Sequence, residues 1–183
     1  APAGDGNIPL QLVKANPATG QGAMSGISHI QRVATRGGLA PATTCDAAGK
    51  GKRGSVLVIH ENRGLNPYIR DVARRVALAG YNALALDFLS PLGGTPEDED
   101  AARAMFSQLD AKQTIANGLA ALAYLKALPN SNGRLGVLGF CWGGAMVNQL
   151  AVSAPDLDAA VSYYGMAPQS ELVSQIKARM LLH

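Results

Sequence analysis

The sequence has little charge, few cysteines and no long apolar run. Charged residues make up 16% of the 183 positions and the net charge is +3, so the chain carries no acidic or basic block that would attract nucleic acid. We therefore expect no nucleic-acid partner. No apolar run approaches the roughly 18 residues that a membrane-spanning helix needs. We therefore expect a soluble protein that makes no membrane contact.

The two cysteines, Cys45 and Cys141, lie in different sequence settings. Cys45 stands among small residues and Cys141 stands in a glycine-flanked turn, and we expect two free thiols rather than a disulfide. The chain opens on Ala1 instead of methionine. We expect a cytoplasmic protein, with export after removal of a signal peptide as the alternative. The oligomeric state is left open.

The composition of the chain changes near residue 54. Residues 1–54 are rich in glycine, proline, serine and threonine, and only the stretches 8–13 and 27–33 carry scattered apolar residues. This composition predicts a loop-rich N-terminal segment with one or two edge strands at most. Residues 55–183 are predicted to form a single α/β domain, since domains commonly hold about 100–200 residues.

Strand patterns alternate with helix patterns along residues 55–183. Residues 56–59 form a continuous apolar run, typical of a strand covered on both faces, and the helix pattern after it ends at Gly80. Thr95 is the expected N-cap of a further helix, with Pro96 at its first position. The other predicted strands cover residues 82–86, 135–139, 157–163 and 178–182, and the other predicted helices cover residues 115–125, 145–154 and 169–176. The alternation predicts a mainly parallel sheet with helices on both faces, which binds ligands at the carboxyl ends of its strands.

Cys141 lies in a turn rich in glycine, Gly139-Phe140-Cys141-Trp142-Gly143-Gly144, between a strand pattern and a helix pattern. In hydrolases, a strained strand-to-helix turn of this kind exposes a nucleophile, and the helix N-terminus favours a thiolate. Two other interpretations stay open. Free cysteines are usually small buried hydrophobes. Glycine-rich turns also hold phosphates, although this turn lacks the middle glycine of the dinucleotide fingerprint and the lysine of the P-loop.

Glu61 and Arg63 follow the first strand of the α/β pattern, at the sheet edge where ligands bind. The Glu61 carboxylate is a candidate proton acceptor for the thiol; the alternative is an ordinary carboxylate paired with Arg63 or Arg70. Arg63 is a candidate contact for an anionic substrate; the alternative is a surface arginine. His60 precedes Glu61 and should face the other way, so we predict a packing role for it.

A thiol that attacks an ester also needs hydrogen-bond donors for the developing oxyanion. In hydrolases with this kind of turn, the donors are the backbone N–H after the nucleophile and one N–H from the loop after an earlier strand. In this sequence they are the N–H of Trp142 and one N–H in the region of Asn62. We expect neither a metal nor a cofactor.

Three segments carry a resemblance to a known family. Residues 60–66 (HENRGLN), residues 87–95 (DFLSPLGGT) and residues 139–144 (GFCWGG) together resemble the dienelactone hydrolase family, which has the α/β-hydrolase fold. The resemblance covers about residues 55–183. It implies hydrolysis of a carboxylated enol-lactone or a similar small ester by a Cys-Asp-His triad, with Cys141 as the nucleophile. It also implies that Glu61 takes the thiol proton when substrate arrives, and that the N–H groups of Asn62 and Trp142 form the oxyanion hole.

The sequence departs from the family pattern after the nucleophile and near its start. The family's acid and histidine follow the nucleophile, and here only Asp156, Asp158 and His183 lie beyond Cys141. Both aspartates lie at the start of a predicted strand, at the end away from the site. Residues 21–53 do not resemble the family's usual strand pair. We expect an α/β-hydrolase sheet without its C-terminal part and a chain with little activity by itself. The alternative function is a non-catalytic binding domain that lacks the triad.

Overall fold

The computed structural model describes residues 28–35, 38–45 and 51–183. The strands are β1 (Ser28–Thr35), β2 (Gly38–Cys45), β3 (Arg53–Ile59), β4 (Asn82–Leu86), β5 (Ser131–Phe140), β6 (Ala159–Tyr163) and β7 (Arg179–Leu182), and the helices are α1 (Pro67–Leu78), α2 (Glu99–Met105), α3 (Ala111–Ala127) and α4 (Trp142–Ser153). The strands form one seven-stranded sheet in the order β1-β2-β4-β3-β5-β6-β7. The pairs β1–β2 and β2–β4 are antiparallel, and the other pairs are parallel.

Helices cover both faces at the centre of the sheet. Helices α3 and α4 pack on the face that carries Leu57 and Val137, and α1 packs on the opposite face against Val58 and Ala85. Every residue of β4 is buried, as expected for a strand between two helical layers. The prediction of a mainly parallel sheet with helices on both faces is confirmed.

Among the residues that the structure describes, the face on the α1 side is open over β5, β6 and β7. Gly136, Leu138 and Phe140 alternate along this face of β5 and are only half-buried. Leu138 pairs with Val161, which pairs with Leu181, a residue that is 52% exposed. A cavity of about 260 Å³ lies at the amino-terminal end of the same face. This part of the sheet therefore has one covered face, whereas parallel strands usually have two.

The sequence pattern did not predict β2. Its sequence, GLAPATTC, mixes glycine, proline and small residues with few large apolar side chains, yet it pairs with β4. Strand β1 overlaps the apolar stretch 27–33, whereas the stretch 8–13 lies outside the described residues. The sheet therefore includes strands on both sides of the division expected near residue 54.

The helix predicted from Thr95 begins three residues later than expected. Asp98 caps α2 by accepting hydrogen bonds from the N–H groups of Asp100 and Ala101. The N–H and hydroxyl of Thr95 both donate to Asp87 instead. The prediction that Thr95 is an N-cap is therefore wrong, because a contact between distant loops uses the side chain that would otherwise cap a helix.

The remaining helices lie close to their predicted positions. Helix α1 ends just before Gly80, whose φ of +97° suits glycine. The segment 169–176 forms a 3₁₀ helix at Ser170–Gln175 rather than an α-helix. Among the described parts of the chain, no helix is long and apolar enough to cross a lipid bilayer.

Candidate active site

The carboxyl ends of β3, β5 and β6 are aligned by their pairing. Ile59 pairs with Gly139, and Gly139 pairs with Ser162. Parallel sheets bind their ligands at this edge. The residues two positions beyond this row lie on neighbouring strand ends: Glu61, Cys141 and Tyr164.

Cys141 occupies a strained turn between β5 and α4. Its φ is 54° and its ψ is −115°, and a positive φ at a residue other than glycine costs about 1–3 kcal/mol. Its N–H donates to the carbonyl of Tyr163 at 2.9 Å, and its carbonyl accepts from the N–H of Ala145 at 3.0 Å. The side chain is exposed, and no disulfide joins it to the buried Cys45. The interpretation of Cys141 as a buried structural cysteine is therefore wrong.

Glycines allow α4 to lie directly on the strand ends. A Cβ on Gly143 would lie 2.5 Å from the carbonyl oxygen of His60, and a Cβ on Gly139 would lie 2.5 Å from that of Gly143. Non-bonded atoms in packed interiors do not approach so closely. Because these Cβ atoms are absent, the loop that follows His60 can pack directly against the Cys141 turn.

His60 is fully buried, and both of its ring nitrogens are engaged. Nε2 accepts a hydrogen bond from the N–H of Phe88 at 3.0 Å, and Nδ1 lies 2.8 Å from the carbonyl of Glu61, to which it must donate. The ring is therefore neutral, with its proton on Nδ1, and burial lowers the pKa of His60. These bonds tie the end of β3 to the end of β4, which agrees with the packing role predicted for His60.

The lowered pKa of His60 makes the stability of the fold depend on pH. The unfolded chain binds a proton at this histidine below its ordinary pKa of about 6.5, and the folded chain resists that proton. Above about pH 6.5, we expect His60 to cause no loss in the free energy of unfolding. As the pH falls below about 6.5, we expect that free energy to decrease by at most about 1.4 kcal/mol per pH unit. Urea unfolding between about pH 8 and about pH 5.5 measures this slope.

Two variants separate His60 from other titrating groups. His60→Gln removes the imidazole and should flatten the slope. His183→Phe should retain the slope, because the His183 ring stacks on Tyr163 with ring centroids 4.8 Å apart and phenylalanine preserves that contact. A His60→Gln protein with the slope of the unmodified chain would contradict the assignment.

Asp87 fixes the loop between β3 and α1 to the end of β4. Its buried carboxylate accepts hydrogen bonds from the N–H of Leu89 at 3.0 Å, from the N–H of Thr95 at 2.8 Å and from the Thr95 hydroxyl at 2.8 Å. The same hydroxyl accepts from the N–H of Leu65 at 2.8 Å. The loop that carries the predicted oxyanion donor is therefore held by a network that reaches across two strands.

Glu61 and Asn62 are half-buried in this loop. The guanidinium of Arg63 lies 2.8 Å from the carboxylate of Glu99 in α2, and Nε of Arg70 donates to the carbonyl of Leu65 at 3.4 Å. The alternative in which Glu61 pairs with one of these arginines is therefore not the arrangement in the structure. Glu61 lies at the end of the strand beside Cys141, and Arg63 is turned towards α2.

Trp142 packs inward from the start of α4. Its ring centroid lies 4.8 Å from that of Phe106 and 5.7 Å from that of His60, with the imidazole stacked on it. The indole therefore belongs to the aromatic packing beneath the site. The residue's backbone N–H lies directly after Cys141, at the first helical position.

The structure does not bring the aspartates after Cys141 to it. Asp156 forms an ion pair with Lys126 at 2.7 Å. Asp158 accepts from Arg134 at 3.0 Å and lies directly before β6, so both aspartates lie at the opposite edge of the sheet. His183 follows β7.

Sequence reasoning gave no role to two residues at these strand ends. Asp87 is the first residue after the buried strand β4, and Glu61 is the second residue after β3. A polar side chain at the carboxyl end of a buried strand is the sequence signal that points to Asp87. Tyr164 follows β6, and its backbone has a φ of 42°. Nothing in the local sequence indicates that conformation.

Comparisons with protein families match most of the chain. The model of the Dienelactone hydrolase family matches residues 42–183. A second model, described as a protein of unknown function, matches residues 1–56. The two matches overlap in β2 and the start of β3.

The curated relatives match this chain over part of their length. A provisionally named hydrolase fragment of Escherichia coli, YghX, is 62% identical over 60 residues, which are 33% of this chain and 51% of that protein. A provisionally named carboxymethylenebutenolidase of Synechocystis is 38% identical over 117 residues, which are 60% of this chain and 47% of that protein. The chain spans about half the length of these relatives.

Solved structures show the same fold. A provisionally named dienelactone hydrolase from Klebsiella pneumoniae superposes with a TM-score of 0.76 at 24% identity, covering 87% of this chain and 72% of that one. P91, a dienelactone hydrolase-like promiscuous phosphotriesterase from metagenomic libraries, gives a TM-score of 0.72 at 28% identity, covering 88% of this chain and 68% of that one. The fold is that of the α/β-hydrolases, and with the family model matched over residues 42–183, the chain belongs to the dienelactone hydrolase family.

Proposed function

We propose that the protein is a hydrolase of small carboxylic esters or lactones and that Cys141 is its nucleophile. One observation carries the proposal: an exposed thiol on a strained strand-to-helix turn, at the sheet edge that also presents Glu61. Retaining both the strain and the exposure costs stability, and such features concentrate at sites of chemistry. Membership of the family supports the reaction class.

The proposed reaction begins when Sγ of Cys141 attacks the carbonyl carbon. The thiol proton passes to Glu61, and the N–H groups of Asn62 and Trp142 donate to the oxygen on which negative charge develops. Collapse of this intermediate breaks the carbon–oxygen bond to the alcohol, which leaves with the proton that Glu61 took from the thiol. Water then hydrolyses the thioester and regenerates the thiol. The proposed substrate is a small molecule, handled in the cytoplasm.

Arg63 is proposed as a substrate contact on one condition. Its guanidinium pairs with Glu99 at 2.8 Å, so binding an anionic substrate would require it to exchange one carboxylate for another. A neutral ester makes no such demand. Within the proposal, neutral substrates are therefore favoured over carboxylated lactones.

A second function is favoured by the placement of Asp156 and Asp158. Both lie before β6, at the edge opposite Cys141, and both are paired with basic side chains. A domain that binds esters without turning them over fits this placement. We expect the 183-residue chain alone to acylate at Cys141 and to show little turnover.

Cys141→Ala separates the two functions. With p-nitrophenyl acetate, the unmodified chain should release about one equivalent of p-nitrophenol and gain an acetyl group at Cys141, because thioester formation needs only the nucleophile, the proton acceptor Glu61 and the oxyanion donors. Cys141→Ala should lose both the release and the added mass. Stopped-flow absorbance and intact-mass spectrometry measure the two quantities.

Cys45→Ala is the matched control. Cys45 is 1% exposed, so its removal should leave the acetylation unchanged. Equal release of p-nitrophenol by Cys141→Ala and by the unmodified chain would contradict the proposal that Cys141 is the nucleophile of a hydrolase. Binding of an ester without acylation of Cys141 would favour the binding domain.

A further inference from the structure

Tyr164 shares an unusual backbone conformation with Cys141. Within the described parts of the chain, these are the two residues other than glycine with positive φ, at 42° and 54°. They directly follow neighbouring strands, β6 and β5, at the same edge of the sheet. Left-handed backbone at a residue with a Cβ costs free energy and concentrates at functional sites.

The conformation of Tyr164 is imposed by its neighbours. Its N–H donates to the carbonyl of His183 at 2.7 Å. The next residue, Gly165, packs so closely on α4 that a Cβ there would overlap the backbone of Gly144 and Ala145. Contacts on both sides therefore fix the direction of the Tyr164 side chain.

Burial of the ring does not compensate for this strain. Tyr164 is 62% exposed, whereas an aromatic residue held for packing would be covered. Its ring centroid lies 6.4 Å from that of Phe140, the residue directly before the nucleophile. The ring of Tyr68, a residue that is 55% exposed, lies 6.1 Å from the same phenylalanine. Two exposed aromatic rings therefore lie beside Phe140, which is next to Cys141 in the chain.

The electrostatics around Tyr164 disfavour an anionic ligand. Partial desolvation, followed by the nearby ionisable groups of Glu61, Tyr68 and Cys141, raises the pKa of the Tyr164 phenol. The phenol is therefore neutral at physiological pH. The Glu61 carboxylate beside it repels anions.

We propose that Tyr164 is a specificity-determining residue of the Cys141 site, where its ring packs against an uncharged aromatic group of the ligand. This inference rests on the proposed role of Cys141 as nucleophile. It narrows the substrate class to neutral aryl or arylalkyl esters. Aromatic rings in offset or edge-to-face contact supply the selectivity.

The test compares two alkylating probes at Cys141, phenacyl bromide and iodoacetamide. In both reactions a bond forms between Sγ and the CH₂ carbon, the halide leaves with its electron pair, and the thiol proton passes to solvent. Intact-mass spectrometry gives each rate. In Tyr164→Gly, the ratio of the phenacyl bromide rate to the iodoacetamide rate should fall by roughly three- to tenfold. Tyr164→Phe should preserve it.

Tyr164→Gly also distinguishes a role of Tyr164 in ligand selectivity from a role in the stability of the fold. Glycine adopts a φ of 42° without strain, so the melting temperature should be unchanged or raised by about 2–4 °C. Tyr81→Ala is the control, since Tyr81 is 48% exposed and lies before β4, at the opposite edge. Its ratio should match that of the unmodified chain.

Each remaining outcome counts against a stated claim. A reactive Cys141 with an unchanged ratio in Tyr164→Gly would overturn the role of Tyr164 alone. A melting temperature lowered by more than a few degrees would show that the tyrosine is held for stability, and would also overturn it. A Cys141 inert to both probes would overturn the proposed nucleophile, and this inference with it.

Discussion

Gly165→Ala is expected to destabilise the protein by about 3 kcal/mol or more. The added Cβ would overlap the carbonyl carbon of Gly144 and the nitrogen of Ala145, and it would lie 2.6 Å from the Gly144 Cα. All of these atoms are backbone, so no flexible side chain can move aside. Relief requires α4 to separate from the end of β6, which would also displace the Cys141 turn. Urea unfolding measures the loss.

Gly136→Ala is the matched control for this substitution. A Cβ on Gly136 would meet the side chain of Val56 at 3.5 Å, an ordinary contact, on the open face of β5. Its stability should therefore stay within about 0.5 kcal/mol of that of the unmodified chain. Equal stability of Gly165→Ala and Gly136→Ala would contradict the close approach of α4 to β6.

Asp87→Ala is expected to cost about 3–5 kcal/mol. The substitution removes the acceptor of three hydrogen bonds, from Leu89 and from both donors of Thr95. Two of these donors are backbone N–H groups that lose their partner in a buried setting, and such groups are expensive to leave unpaired. The acetylation at Cys141 should also slow, because Thr95 holds the N–H of Leu65. Urea unfolding and stopped-flow absorbance measure the two effects.

Asp98→Ala provides the comparison. The Asp98 carboxylate also accepts from two backbone N–H groups, those of Asp100 and Ala101, but it does so at an exposed helix end where water can replace it. Its loss should cost about 1 kcal/mol and leave acetylation unchanged. If Asp87→Ala cost no more than Asp98→Ala, the proposed network at the strand ends would be wrong.

The sequence predicted those elements whose signals are local. The apolar run at residues 56–59 lies within β3, and the pattern before Gly80 corresponds to α1. The Cys141 turn could be placed for the same reason, since the glycines on both sides of Cys141 lie within three positions of it in the chain. Strand β2 could not be predicted, because its small residues indicate a strand only through their pairing with β4.

The hydrogen bonds and backbone contacts that hold the site together join residues that are distant in the sequence. Thr95 bonds to Asp87, which lies eight positions away, and to Leu65, which lies 30 positions away. A capping rule that considers only neighbouring residues therefore misassigned it. The positive φ of Tyr164 likewise follows from the approach of Gly165 to Gly144. That approach exists only once β6 and α4 have packed.

The hydrogen bond from Tyr164 to His183 joins the site to the residue that follows β7, an edge strand of the sheet that the described residues form. Outer strands exchange their amide hydrogens through local opening that leaves the rest of the fold intact. Each opening of β7 releases the Tyr164 backbone and, within our proposal, removes the aromatic wall beside Cys141. Ligand affinity at Cys141 and protection of the β7 amides are then thermodynamically linked, so a ligand that packs on Tyr164 slows exchange at the edge of the sheet.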